Sequence, residues 1–119
     1  MASRRIQRLN VLFRQELADL IAFHLRDPRL PELLSITRVD ISADLQNADV
    51  YASVLGDQEA KKAAMKALDA AAPFLRRQLL ERLTIRRIPA LHFKLDETIE
   101  EGAHILELMK QMPEKKSPP

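Results

Sequence analysis

Arginines cluster in this chain, and of all its residues they have the clearest chemical use. Arg76, Arg77, Arg86 and Arg87 share one segment with Lys94, while Arg4, Arg5 and Arg8 share another near the start. A guanidinium is planar, permanently charged and able to grip two oxygens of one phosphate. This density of arginine therefore suits a phosphodiester backbone better than a small carboxylate. Residues 1–14 hold four arginines and no acid, and residues 76–94 hold five arginines and Lys94 against Glu81 alone. Residues 96–112 hold five acids against Lys110, so the net charge of +2 conceals two basic segments and one acidic one.

Catalytic chemistry is poorly supplied. There is no cysteine, which removes thiolate nucleophiles and Cys-ligated metal and fits a reducing compartment. His24, His92 and His104 are far apart, no metal-ligand spacing occurs, and two glycines, Gly56 and Gly102, cannot build a phosphate loop. No resident metal, cofactor or enzymatic activity is expected. His24 falls on an apolar stripe and reads as a core or partly exposed histidine, whereas His92 falls on the polar face of a strand. With aromatics at 4% and the phenylalanines placed for a core, Tyr51 is the one ring expected outside it. Recognition by shape and phosphate is favoured over base stacking.

The elements that must carry these groups follow from periodicity. Ile6, Leu9, Phe13, Leu17, Leu20 and Ile21 recur at helical spacing, predicting an amphipathic helix from about Ser3 to Leu25 with Ser3 as its cap. Arg4 and Arg8 lie opposite that stripe. Asp27-Pro28-Arg29 ends the helix, because proline disfavours helical geometry in the residue before it. Leu34 and Ile36 share one parity and Val39 and Ile41 the other, which predicts a bulged strand or one beginning near Thr37. Alternation over Ala48–Val54 predicts a second strand, antiparallel to the first across the loop 43–47.

Asp57 is placed to cap a second helix whose Ala64, Met65, Leu68, Ala71 and Leu75 face the sheet, with Lys61, Lys62 and Lys66 outside. Pro73 interrupts it. Proline has no N–H and its ring clashes with the carbonyl four residues back, so the helix either kinks or restarts as a third helix through Leu75, Leu79 and Leu83. A restart would leave the amides of Phe74, Leu75 and Arg76 free to bind an anion. Leu91, Phe93 and Leu95 alternate with His92 and Lys94 in a third strand, and Thr98-Ile99-Glu100-Glu101 has capping-box spacing for a last helix. The expected result is one two-layer α+β domain over residues 1–112 and a disordered tail over 113–119. With no apolar run near the ~20 residues of a membrane span, a soluble, cytoplasmic protein is expected.

An ordered set of short matches spans the chain: the arginine-rich first helix, Asp27-Pro28-Arg29, Thr37-Arg38-Val39, Ser42-Ala43-Asp44-Leu45 and Ala48-Asp49-Val50-Tyr51. It continues through Leu68, Ala71, Phe74-Leu75-Arg76, Leu83-Thr84-Ile85-Arg86, Pro89-Ala90-Leu91-His92-Phe93 and Asp96. In these residues the chain resembles bacterial ribosome-binding factor A along nearly its whole length. The resemblance implies a single-domain type-II KH-like fold, with a three-stranded sheet, helices on one face, and an interhelical kink in place of the GxxG clamp. At the kink, Ala71, Ala72 and Pro73 occupy the family's Ala-x-Gly positions, so proline stands where glycine is usual. The resemblance further implies a non-catalytic, monomeric assembly factor for the small (30S) ribosomal subunit. Such a factor engages immature 16S rRNA and aids late maturation, 5′-end processing and cold adaptation. A second reading makes the chain a protein-interaction module that docks a ribosomal protein or an assembly GTPase through its acidic end or its sheet.

Overall fold

The computed structural model describes residues 3–25 and 34–97. The predicted helix stop at Asp27-Pro28-Arg29, the predicted last helix from Thr98 and the tail from Pro113 lie outside the described residues.

Helix α1 spans Arg4–Phe23 and starts where Ser3 caps it, with Ser3 Oγ accepting from the Ile6 N–H at 3.2 Å. Its stripe of Ile6, Phe13, Leu17, Leu20 and Ile21 is buried, which leaves Arg4, Arg5 and Arg8 exposed. Strand β1, Leu34–Ile41, carries the anticipated change of phase as an irregularity in register between Ile36 and Arg38. One extra residue there lets Ile36, Val39 and Ile41 all turn inward despite their mixed parity. The Ile41 N–H donates to Asn10 Oδ1 at 2.9 Å, pinning α1 to this strand.

Strand β2, Asn47–Val54, runs antiparallel to β1. In the loop between them Asp44 Oδ1 accepts from the Ser42 hydroxyl at 2.6 Å and from the Gln46 N–H at 3.1 Å. Those two bonds, the Ser42 one foremost, hold the Asp44 carboxyl below the usual carboxylate range. Helix α2, Gln58–Arg82, is capped by Asp57, whose carboxylate accepts from the Ala60 N–H at 2.8 Å. Strand β3, Ala90–Leu95, then returns beside β2 in parallel, giving the order β1-β2-β3. A parallel neighbour needs a crossover, and α2 is that crossover. Ala48, Val50 and Ala52 of the central strand are fully buried beneath the helices, in one core with Phe13, Leu17, Leu20, Leu68, Leu75 and Leu79.

Two expectations are corrected. The chain does not restart at Pro73, because α2 is one unbroken helix with Pro73 inside it. Interior proline costs about 3 kcal/mol. Beyond Pro73, however, Leu75 and Leu79 are fully buried on the stripe that Ala64 and Leu68 begin, and each such side chain contributes about 1.5–3 kcal/mol. Together they match or exceed the cost, and Pro73 faces solvent, where a helix can curve around its core. The amides of Phe74, Leu75 and Arg76 are therefore interior to α2 and form no anion-binding terminus. Replacing Pro73 with alanine restores a donor for the Asp69 carbonyl. Pro73→Ala is expected to stabilise the fold, by no more than the ~3 kcal/mol that separates the two residues in a helix, and so to raise the melting temperature; thermal unfolding by circular dichroism measures it.

The second correction concerns Lys61, expected in solvent but only 4% exposed, with its Nζ 3.4 Å from Glu97 just past β3. Its methylene stem packs inward while the ammonium reaches the carboxylate.

Candidate nucleic-acid interface

Seven of the eight predicted basic contacts, far apart in sequence, meet on one side of the fold. Arg5 from the first turn of α1 and Arg86 and Arg87 from the loop 83–89 stand around one hollow of about 420 Å³. Arg4, Arg5 and Arg8 surround Ile85 of the same loop. On its other side, Arg86 and Arg87 border a second hollow with Pro73, Arg76 and Arg77. Because Arg5, Arg86 and Arg87 are shared between neighbouring hollows, the two basic segments form a continuous surface. The packing of α1 beside α2 and over β1 produces it.

All seven arginines are exposed and show no acidic partner among the described residues. Unpaired guanidinium groups at this density raise the local positive potential and remain free for phosphate. Arg76 differs, since its Nη2 donates to the Ile88 carbonyl at 2.9 Å and ties the loop to α2. Arg82, in the same basic segment, serves the fold instead. It bonds Asp19 at 2.7 Å and Glu16 at 3.0 Å across to α1, contacts that raise its pKa, with Asp19 the larger cause. Its Nη2 also lies 3.1 Å from His24 Nε2. A guanidinium only donates, so that nitrogen accepts, and His24 is an exposed helix-end residue rather than part of the core.

Lys94 is not brought to this surface. It stands on the open face of the sheet, 3.3 Å from Asp49, where His92 Nε2 meets Asn47 Oδ1 at 2.9 Å. Tyr51, expected outside the core, is half-exposed there and carries the Arg38 guanidinium 4.2 Å above its ring centroid. Sequence spacing did not single out Arg38; only the cross-strand register opposite Tyr51 reveals its role. Ala71 and Ala72 are half-buried within α2, and Pro73 is exposed beside Arg76 and Arg77. Among the described residues no helix is long and apolar enough to cross a membrane, and no three potential metal ligands gather.

The chain is similar to known proteins over most of its length. The family model for ribosome-binding factor A matches residues 5–109. A ribosome-binding factor A from Acetivibrio thermocellus is 42% identical over 107 residues, covering 90% of this chain and 87% of the relative. The solution structure of a Thermotoga maritima protein described as a putative ribosome-binding factor A superposes with a TM-score of 0.71 at 30% identity, covering 79% of this chain and 89% of that one. A Thermus thermophilus ribosome-binding factor A model fitted into the map of a 30S complex gives 0.62 at 31% identity, covering 74% and 91%. The α+β architecture is thus the KH-like fold that the resemblance implied, with its three-stranded sheet and two described helices. By family model, identity and fold together, the chain belongs to the ribosome-binding factor A family.

Proposed function

We propose that this chain binds the small ribosomal subunit through the arginine surface, contacting immature 16S rRNA by its phosphates. In this reading it acts in the cytoplasm as a non-catalytic monomer that assists late subunit maturation and 5′-end processing of the rRNA. The observation that carries the reading is the merging of Arg4, Arg5 and Arg8 with Arg76, Arg77, Arg86 and Arg87 into one surface. Two basic segments that remained on opposite sides of the fold would not have supported it. A Thermus relative fitted into a map of a 30S complex supports the small subunit as the partner.

Phosphate contacts release counterions, so the logarithm of affinity for purified small subunits is expected to fall linearly with the logarithm of salt. The slope is about −0.7 to −0.9 per neutralised phosphate. With several of the seven arginines engaged, sedimentation binding from low to moderate salt should show a steep loss. A flat dependence would overturn the reading in favour of docking on a ribosomal protein or an assembly GTPase.

A further inference from the structure

We propose that the hollow between the first half of α1, the loop 42–46 and the loop 83–89 takes a single unpaired RNA base, with the neighbouring phosphates held by Arg5, Arg86 and Arg87. This rests on the RNA-binding reading above and adds to it a site for one nucleotide. The hollow is separate from the one beside Pro73, on the other side of Arg86 and Arg87.

The floor is what phosphate binding leaves unexplained. It is made of buried Phe13, Ile41 and Pro89 with half-buried Leu9, Leu45 and Ile85, and it opens to solvent between charged rims. Its volume of about 420 Å³ lies at the small end of the ~300–1,000 Å³ of ligand sites, enough for one base and too small to enclose a duplex. A nucleobase presents flat apolar faces with a polar edge, and its own phosphates lie within reach of a surrounding rim. The charge of that rim fits such an occupant, because Arg5 from α1 and Arg86 and Arg87 from the loop 83–89 all line the hollow and are exposed.

Asp44 sharpens the specificity. A carboxylate among three arginines weakens phosphate binding, so at this rim it suits an occupant that also carries a hydrogen-bond donor. Its Oδ1 already accepts from Ser42 and Gln46, and the residue is otherwise exposed. Like any aspartate it is ionised at neutral pH, a form those bonds favour further, and so it can only accept. The exocyclic amino groups of cytosine and adenine are suitable donors, whereas uracil has no amino group and offers only its ring N3–H. Leu45, next in the chain, is held at φ 61, a left-handed conformation that leucine rarely adopts, with its side chain on the hollow. An acidic peptide would meet Asp44 with like charge, which disfavours it.

The test is fluorescence anisotropy on the full chain at moderate salt, using short single-stranded RNAs of only A, only C or only U and a duplex of equal length. The A and C strands are expected to bind roughly threefold to tenfold more tightly than U. Thr84→Trp, an exposed rim substitution that fills the hollow, should lose about tenfold for the A and C strands while duplex binding and thermal unfolding stay unchanged. Asp44→Asn, which preserves an acceptor for Ser42 and Gln46, should level the preference over U. Wild-type single-strand affinity in a folded Thr84→Trp variant, or equal competition by an oligoglutamate peptide, would overturn the proposal. If subunits bind with a steep salt slope but single strands bind no better than duplex, the base site falls and the rRNA reading stands. If neither subunits nor any RNA bind, both fall.

Discussion

Reversing Arg77 and Arg87 together to glutamate is expected to weaken small-subunit binding by at least about tenfold at moderate salt, with the fold intact. The two side chains are exposed and border the same hollow from α2 and from the loop 83–89. Each reversal removes a phosphate contact and substitutes repulsion, so the salt slope should fall by about two in the double variant. Arg76 is left out deliberately. Its bond to the Ile88 carbonyl means that its loss would also release the loop, so a binding defect would no longer report on phosphate contact alone. Lys62→Glu with Lys66→Glu changes the net charge equally at exposed positions of α2 that do not line the arginine hollows, and serves as the control. Sedimentation with purified subunits over a salt series gives both affinity and slope, while circular dichroism checks the fold. Wild-type affinity in the folded Arg77/Arg87 double variant would remove this surface from the interface.

Leu75→Ala is expected to cost about 2–5 kcal/mol of a total stability of about 5–15 kcal/mol, the range for burying a cavity where leucine had been. Leu75 is fully buried and is the first core residue after Pro73. Together with Leu79 it holds the second part of α2 against the core despite the missing proline donor. The cost should therefore fall unevenly. Urea unfolding reads the global loss, and hydrogen exchange should show amides of residues 74–82 losing protection more than those of residues 60–68. If protection falls uniformly, the far part of α2 does not depend on this anchor. Because Arg76 and Arg77 ride on that part of the helix, the same variant should weaken subunit binding at temperatures where it remains mostly folded.

Much of this molecule was legible before any coordinates. Ser3 and Asp57 cap helices because their oxygens reach the amides of Ile6 and Ala60, a local geometry that a four-residue pattern specifies. The stripe from Ile6 to Ile21 and the alternation over Ala48–Val54 identify the buried faces of α1 and β2, because side-chain direction repeats with backbone period. Even the bulge near Thr37 showed itself as a change of parity. The ordered matches also pointed to the family.

What no pattern along the chain could decide were the outcomes of competition and of closure between distant segments. Pro73 read as a break because its local cost is visible in the sequence, while the buried Leu75 and Leu79 that offset it count only once the sheet is in place. Lys61 read as solvent-facing because Glu97, 36 residues on, becomes its neighbour only when β3 lies parallel to β2. The two basic segments looked like separate contact zones, and a net charge summed along a chain cannot say whether they converge. The tertiary packing of α1 and the loop 83–89 brought Arg5 to Arg86 and Arg87, while it left Lys94 on the open sheet, paired with Asp49. Residue type determined which groups could hold phosphate. Which of them share a surface was settled by the burial of the apolar faces behind them, because that burial fixes how the helices lie across the sheet.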